Sequence, residues 1–348
     1  MQTHYDHKRL MDQIIRIKQE LGSELLILTH HYQRKEIVDL GDHRGDSFAL
    51  ARRAARDENA RYIVFCGVQF MAESAAVLAK PGQIVQIPDP DAGCWMADMA
   101  DGFQVEKSWQ DMGEVLEEKM PVPVAYVNSH ADIKAFCGRN GGAACTSANA
   151  RAVVEWAFGR GDKVFFLPDE HLGRNTAWDM GIPESEICVW DPALPLGGNT
   201  EADIRRARVI LWQGHCQVHS QFTPEQVQSL RVNFPDARIL VHPECRADVV
   251  QVADAAGSTS FIAREVAQAP SGSTLILGTE IHFIKRLAVE YPDKKILPLM
   301  DTFCPNMYKV NLPNLLHTLE NIGQVNRVDI PDPIRRDAYT ALDRMLSL

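Results

Sequence analysis

Three segments of this chain run from a stretch rich in Val, Ile and Leu into a short polar turn that ends on a cysteine. They are IVQIPDPDAGC at Cys94, RVILWQGHC at Cys216 and KKILPLMDTFC at Cys304. A short apolar run bounded by turn residues reads as a buried strand. A chain that presents a thiol three times from the same local context is built from a repeated unit, and the repeat predicts that the three cysteines meet at one place.

The remaining sequence carries the same repeat. An amphipathic opening helix has Ile14, Ile15, Ile17 and Leu21 on its apolar side. It leads into the strand ELLILTHHYQ, the helix GDSFALARRAARDENA, the strand RYIVFCGVQF and the helix MAESAAVLAK. The second third reads as strand and helix in VPVAYVNSHADIKAFC, helix in CTSANARAVVEWAFGRG, and strand and loop in DKVFFLPDEHLG. A Pro/Gly-rich insert between about Asn175 and Thr200 then precedes RVILWQGHC. The last third runs ARILVHPECRADVVQVADAAG, STSFIAREVAQA, STLILGTEIHFIKRLAVE. Strand–helix alternation is the signature of parallel α/β layers, and a period of roughly 90–120 residues is too long for a solenoid.

The expected fold is therefore α/β: three similar three-layer α/β domains with short parallel sheets around a pseudo-threefold axis. The predicted limits are 1–95 together with 305–348, 96–216, and 217–304. NMYKVNLPNLLHTLENI and the final helical stretch DIPDPIRRDAYTALDRML are expected to fold back on the first domain.

Two further correspondences align the thirds. Ser47, Ser147 and Ser258 each precede a helical run, and lie 47, 69 and 46 residues before their cysteines, the middle spacing being stretched by the insert. The first strand of each third ends in polar residues two apart: His30 and Tyr32, Tyr126 and Asn128, His242 and Glu244. Side chains at i and i+2 of an extended segment share a side, and open parallel sheets bind ligands beyond the carboxyl ends of their strands. Each domain would thus give a polar pair, a hydroxyl and a thiol to a shared cavity.

Composition narrows the function classes. A net charge of -10, with no basic cluster to offset it, argues against a nucleic-acid partner, while leaving room for a local basic pocket for a small anion. No stretch approaches the ~18 apolar residues of a membrane span, and the N-terminus lacks a secretory h-region, so the expected location is cytoplasmic, with no membrane partner. None of the eight cysteines forms a CxxC pair, which weakens zinc-ribbon and thioredoxin readings. A single buried cysteine is more often inert packing. Only their repeated context lifts Cys94, Cys216 and Cys304 out of that class.

Three thiolates from separate domains can hold three irons of a 4Fe–4S cluster and leave the fourth open to substrate as a Lewis acid. Zinc held by the same cysteines with His219, three residues after Cys216, is the competing reading. Hydroxyls at helix starts commonly cap free N–H groups, but helix N-termini also hold phosphate and carboxylate. GSTS (257–260) is the best such cradle, with Gly257 giving the backbone room and Ser258 and Thr259 the hydroxyls. His30, His31, His215, His219 and His242 gather at the predicted rim and suit an anionic substrate and proton transfer. Glu244, after the proline of HPEC, is the preferred general base.

As a set, these residues resemble the quinolinate synthase family, iron–sulfur enzymes of de novo NAD biosynthesis. The resemblance spans nearly the whole chain through HHYQ (30–33), GDSFALAR (45–52), CGVQFMAE (66–73), AYVN (125–128), CTSANA (145–150) and PDEHLGRN (168–175). It continues in WQGHCQVH (212–219), HPEC (242–245), GSTS (257–260) and TEIHFIKRL (279–287). It implies three α/β domains, each giving one ligand to a 4Fe–4S cluster: Cys94, Cys216 and Cys304. It implies condensation of iminoaspartate with dihydroxyacetone phosphate to quinolinate, phosphate and two waters, coupled to an aspartate oxidase or dehydrogenase that supplies iminoaspartate. His30, Ser47, Tyr126, Asn128, Ser147, His219, His242, Glu244, Ser258 and Thr259 would line the substrate pocket. Glu244, Tyr32 and His242 would move protons.

Two departures stand out. CGRNGG (137–142) looks like a short insertion before CTSANA, and the third cysteine stands alone in FCPNMY, without the CxxC-rich version of some relatives. Two alternatives remain: an iron–sulfur hydro-lyase of the aconitase type, and a non-catalytic metal or redox sensor. The sensor would have no need of the convergent Ser, His and Glu set.

Overall fold

The computed structural model describes residues 2–348, with side chains from residue 7 onward. It holds three sheets, and every ladder within them is parallel. The first contains β1 (Leu25–His30), β2 (His43–Gly45), β3 (Tyr62–Cys66) and β4 (Ile84–Gln86). The second contains β5 (Val122–Tyr126), β6 (Ala143–Cys145), β7 (Val164–Leu167), β8 (Ile187–Trp190) and β9 (Val209–Trp212). The third contains β10 (Arg238–Val241), β11 (Ala255–Ala256), β12 (Thr274–Gly278) and β13 (Lys295–Pro298).

The orders are β2-β1-β3-β4, β6-β5-β7-β9-β8 and β11-β10-β12-β13. With β8 set aside, one strand order occurs three times, so the chain is three similar α/β domains. LLILTH, VFFL and VILW are buried at every position, the continuous apolar runs that a parallel sheet covered on both faces requires.

Several local expectations need correction. Each domain has a short edge strand (β2, β6, β11) just before its serine, where only loop or helix was expected. EHLG is not a loop: Asp169 accepts the N–H groups of His171 and Leu172 and starts a helix at Glu170–Asp179. The Pro/Gly-rich insert contains β8, which pairs with β9. Within CGRNGG, Cys137, Gly138 and Arg139 finish the helix Ala131–Arg139 and the rest turns into β6. A Cβ on Gly138 would lie 1.9 Å from the Asp337 carbonyl oxygen, so this glycine lets the last helix, Asp332–Ser347, pack against its backbone. That last helix accordingly lies mainly on the second domain, against Ala131–Arg139 and β6, with Gln69–Leu78 of the first domain as a lesser neighbour. The preceding helix, Leu312–Glu320, does return to the opening helix of the first domain.

One apolar core runs through the first two domains and the C-terminal helices, while two smaller cores flank the third sheet. Glu73 links the first two domains polarly: it accepts the N–H of Ala131 at 2.9 Å and lies 3.5 Å from His130. Among the described residues no helix is long and apolar enough to cross a membrane.

Candidate active site

The carboxyl ends of the three sheets converge on one cavity. Two of its polar pairs are built by the same local device. The N–H of Tyr32 donates to His30 Nδ1 at 3.2 Å, and the N–H of Glu244 donates to His242 Nδ1 at 3.3 Å. An Nδ1 that accepts leaves the proton on Nε2. Burial lowers His30 to about 4 and His242 to about 3, so both rings are neutral donors at neutral pH.

Glu244 is the hub. It is buried and receives Tyr126 Oη at 2.5 Å and Asn128 Nδ2 at 3.2 Å on one oxygen. On the other oxygen it meets His219 Nδ1 at 2.6 Å. Burial alone would raise its pKa, but His242, His219 and the Tyr126 hydroxyl outweigh burial and hold it low. A neutral His242 gives no countercharge, so the donors His219 and Tyr126 are the causes that persist at neutral pH. Burial, then the Glu244 charge, raises both Tyr126 and Tyr32, so both phenols keep their protons.

The chain of contacts continues past Glu244. His219 Nε2 lies 3.2 Å from Thr279 Oγ1, which lies 2.7 Å from Tyr32 Oη. With Nδ1–H donating to Glu244, Nε2 accepts, and the hydroxyls of Thr279 and Tyr32 can both donate toward it. Tyr32, Thr279, His219, Glu244 and Tyr126 thus form one hydrogen-bonded path that crosses all three domains.

The thiols lie on the same cavity. Cys94, Cys216 and Cys304 all line it, and all three also line a second recess beside Trp95 and Phe303. None sits at its strand's last residue: they follow β4, β9 and β13 by eight, four and six residues. Cys94 and Cys304 occupy the N-cap positions of the short helices Trp95–Asp98 and Pro305–Lys309. Burial pushes Cys94 up to about 12 and raises Cys216 and Cys304, against opposing amide donors such as Ala97, His219 and Met307. Left alone, such thiols would stay protonated and unreactive. Three of them converging on one cavity from three domains fit a cationic group that takes thiolate ligands. Cys66, Cys137, Cys145, Cys188 and Cys245 are buried in the cores.

Twelve of the residues expected at the site line the cavity: His30, Tyr32, Ser47, Cys94, Tyr126, Asn128, Ser147, Cys216, His242, Glu244, Thr259 and Cys304. Two differ. His219 is not on its wall but behind it, bonded to Glu244. Ser258 caps the Thr259–Gln268 helix by accepting the Phe261 N–H at 3.2 Å, and faces an outer groove. Gly257 makes room for that helix, since a Cβ there would lie 2.2 Å from the Phe261 ring. In the first domain the cap is Asp46, not Ser47, which is the helix's first residue. Sequence reasoning missed Thr279, which follows β12 directly. It also gave no role to Asn175, whose Nδ2 holds the carbonyls of Pro243 and Cys245 at 2.8 Å each and so fixes the Glu244 loop.

The family model for quinolinate synthetase A protein (NadA) matches residues 12–347. The chain belongs to the quinolinate synthase family. Among curated relatives, quinolinate synthase of Rhodopirellula baltica is 47% identical over 99% of this chain and 92% of that protein. Those of Nocardioides sp. and Anoxybacillus flavithermus are 49% and 46% identical over 95% and 96% of this chain, and 87% and 92% of their own lengths. Quinolinate synthases are iron–sulfur enzymes of NAD biosynthesis that act on small molecules, so this chain is an enzyme of that class.

Proposed function

We propose that this enzyme condenses iminoaspartate with dihydroxyacetone phosphate to give quinolinate, phosphate and two waters, in the cavity where the three sheets meet. Cys94, Cys216 and Cys304 would hold a 4Fe–4S cluster there. When bound, the cluster supplies a Lewis-acidic iron with one position free of protein ligands. Iminoaspartate would reach the enzyme from an aspartate oxidase or dehydrogenase.

The observation that carries the reading is the hydrogen-bonded path from Tyr32 to Tyr126 through Glu244. Condensation, isomerisation and ring closure each need protons removed at one atom and returned at another. Glu244 is a carboxylate whose donors can be exchanged for a substrate N–H or C–H. A proton that Glu244 accepts from substrate can be returned to another substrate atom, and the path can supply one in turn: His219 passes its Nδ1 proton to Glu244 while Nε2 takes one from Tyr32 through Thr279. His30 and His242, neutral and protonated on Nε2, can donate to substrate carboxylates or phosphate without burying a charge. Ser47, Ser147 and Thr259 add hydroxyls at helix starts in two domains and at the turn after β6. Ser258 would act through the helix end it caps.

A second reading has its own support: donor atoms of Cys216, His219 and Glu244 all lie within 4.8 Å of one another, compact enough for one divalent ion such as zinc. The His219–Glu244 hydrogen bond accounts for the same closeness without an ion. The deciding experiment is an anaerobic assay of purified enzyme with both substrates, read as quinolinate formed. Brown protein that makes quinolinate supports the proposal, whereas colourless, active protein with one zinc would sink the cluster.

A further inference from the structure

Outside the cavity lies a groove of about 670 Å³, within the size range of small-molecule sites. Its walls are two helices that hold the same place in the first and third domains, Ser47–Arg56 and Thr259–Gln268. Phe48, Arg52 and Arg56 recur every four residues and so form one row on the first helix. Phe261 and Arg264, three apart, share a row on the second. The Arg52 guanidinium lies 5.8 Å over the Phe48 ring, and that of Arg264 lies 5.4 Å over Phe261.

The charges here are not balanced. Arg44 and Arg53 are paired, with Glu290 at 2.6 Å and Asp57 at 2.7 Å. Among the described residues, no carboxylate lies within 4.0 Å of Arg52, Arg56 or Arg264. Among the described residues Asp46 is the one carboxylate on the groove, and it is buried and engaged by the Ala49 N–H at 2.9 Å. A chain of net charge -10 therefore gathers three free cations on one concave surface. That surface touches the cavity: Asp46 and Ser147 line both, and Ser258 on the groove adjoins Thr259 on the cavity.

We propose that this groove is an anion-binding vestibule, in which Arg52, Arg56 and Arg264 hold a small phosphorylated or dicarboxylate anion before it passes Ser147 into the cavity. The binding stands on the groove alone, whereas the passage inward rests on the function proposed above. A cleft lined by one sign of charge concentrates its counter-ion by about 10-fold to 1000-fold. In a protein of opposite net charge, that local field offsets the repulsion that the bulk would exert on a dianion.

The test compares anaerobically prepared holoenzyme with a triple variant, R52A/R56A/R264A, and with the charge-keeping R52K/R56K/R264K. Arg160→Ala, an arginine outside the groove lying 3.9 Å over Trp156, is the control. Calorimetry with inorganic phosphate should show one bound equivalent more in the native enzyme, the lysine variant and the control than in the alanine variant. The KM for dihydroxyacetone phosphate should rise about tenfold in the alanine variant at low ionic strength with kcat retained, and the gap should close near ~1 M salt. Equal phosphate stoichiometry in all four proteins would overturn the vestibule. So would an alanine variant in which kcat falls while KM stays constant. If the extra phosphate is lost as expected but no protein forms quinolinate, the vestibule stands and the proposed reaction fails.

Discussion

Around the inner cavity, His30 and His242 are buried and neutral, and the carboxylate of Glu244 is surrounded by donors. Among the described residues no arginine lines that cavity, whereas three without carboxylate partners line the groove outside it. The difference follows from where the water is. A guanidinium moved into the buried cavity would lose its hydration, and its strong pairing with an anion would hold substrate and product alike. Neutral N–H and O–H donors orient an anion at lower desolvation cost and can exchange protons with it. At the rim the charge remains solvated, so it gathers anions loosely and lets them go.

The comparison breaks most sharply at the cysteines. Cys216→Ala removes one of three thiols at the cavity, and the expected outcome is colourless protein with no quinolinate formation. Cys245→Ala makes the same exchange in a core of the third domain, where the thiol has only the Gly278 carbonyl at 3.8 Å. That variant should keep its colour and its turnover and lose about 1 kcal/mol of stability. Anaerobic visible spectra of the two proteins provide the check. Colour retained in Cys216→Ala would remove it from the ligand set.

Next in size is Glu244→Gln. The amide keeps the shape and one acceptor, but it cannot take up a proton between Tyr126 and His219. Turnover should fall by about 100-fold or more, with the visible spectrum unchanged. Smaller again is Asn175→Ala, which frees the carbonyls of Pro243 and Cys245 and loosens the loop that aims Glu244. A drop of about tenfold in kcat is expected, on the scale of losses from misplacement of a catalytic group. Asn175→Asp, which keeps the shape but withdraws the amide donors, should fare no better than alanine. Full activity in the aspartate variant would show that the two carbonyl contacts do not position Glu244.

What could be read in the sequence depended on how much chemistry each segment repeats. LLILTH, VFFL and VILW announce themselves because a strand buried on both faces must be apolar throughout. The polar pairs and the cysteines stood out because the same residue types recur at matching places. The edge strands HRG, AAC and AA had no such signal, being two or three residues long and poor in β-branched side chains. ICVW was concealed by the prolines and glycines around it, although its pairing with β9 is regular. His219 lies behind the cavity wall because its ring spans Glu244 and Thr279, a relation between two domains that sequence spacing does not encode. The row of Phe48, Arg52 and Arg56 was readable as i, i+4, i+8, but its meaning needed the facing helix of the third domain.

The weakest expected effect concerns stability, and it sets the cavity histidines against one at the domain seam. His30 and His242 are held by burial at about 4 and about 3, below the ordinary 6.5 of an exposed imidazole. Between those values and 6.5 the unfolded chain binds protons that the folded chain refuses, so stability is full above pH ~6.5 and declines as the pH falls toward ~4. His130 runs the other way. Its hydrogen bond to Glu73, aided by Asp98 against the cost of burial, raises it to about 9, so its contribution is full below ~6.5 and fades as the pH rises through about 9. Denaturant unfolding across pH 5 to 9 should therefore give a maximum near pH ~6.5–7, with a steeper acid limb because His30, His242 and the likewise lowered His31 and His171 act there, whereas His130 acts on the other side. His130→Gln should flatten the alkaline limb alone, while His30→Asn should shallow the acid limb by up to about 1.4 kcal/mol per pH unit. An acid limb unchanged in His30→Asn would mean that burial does not lower this ring's pKa, and the account of His30 as a donor kept neutral by its burial would fail with it.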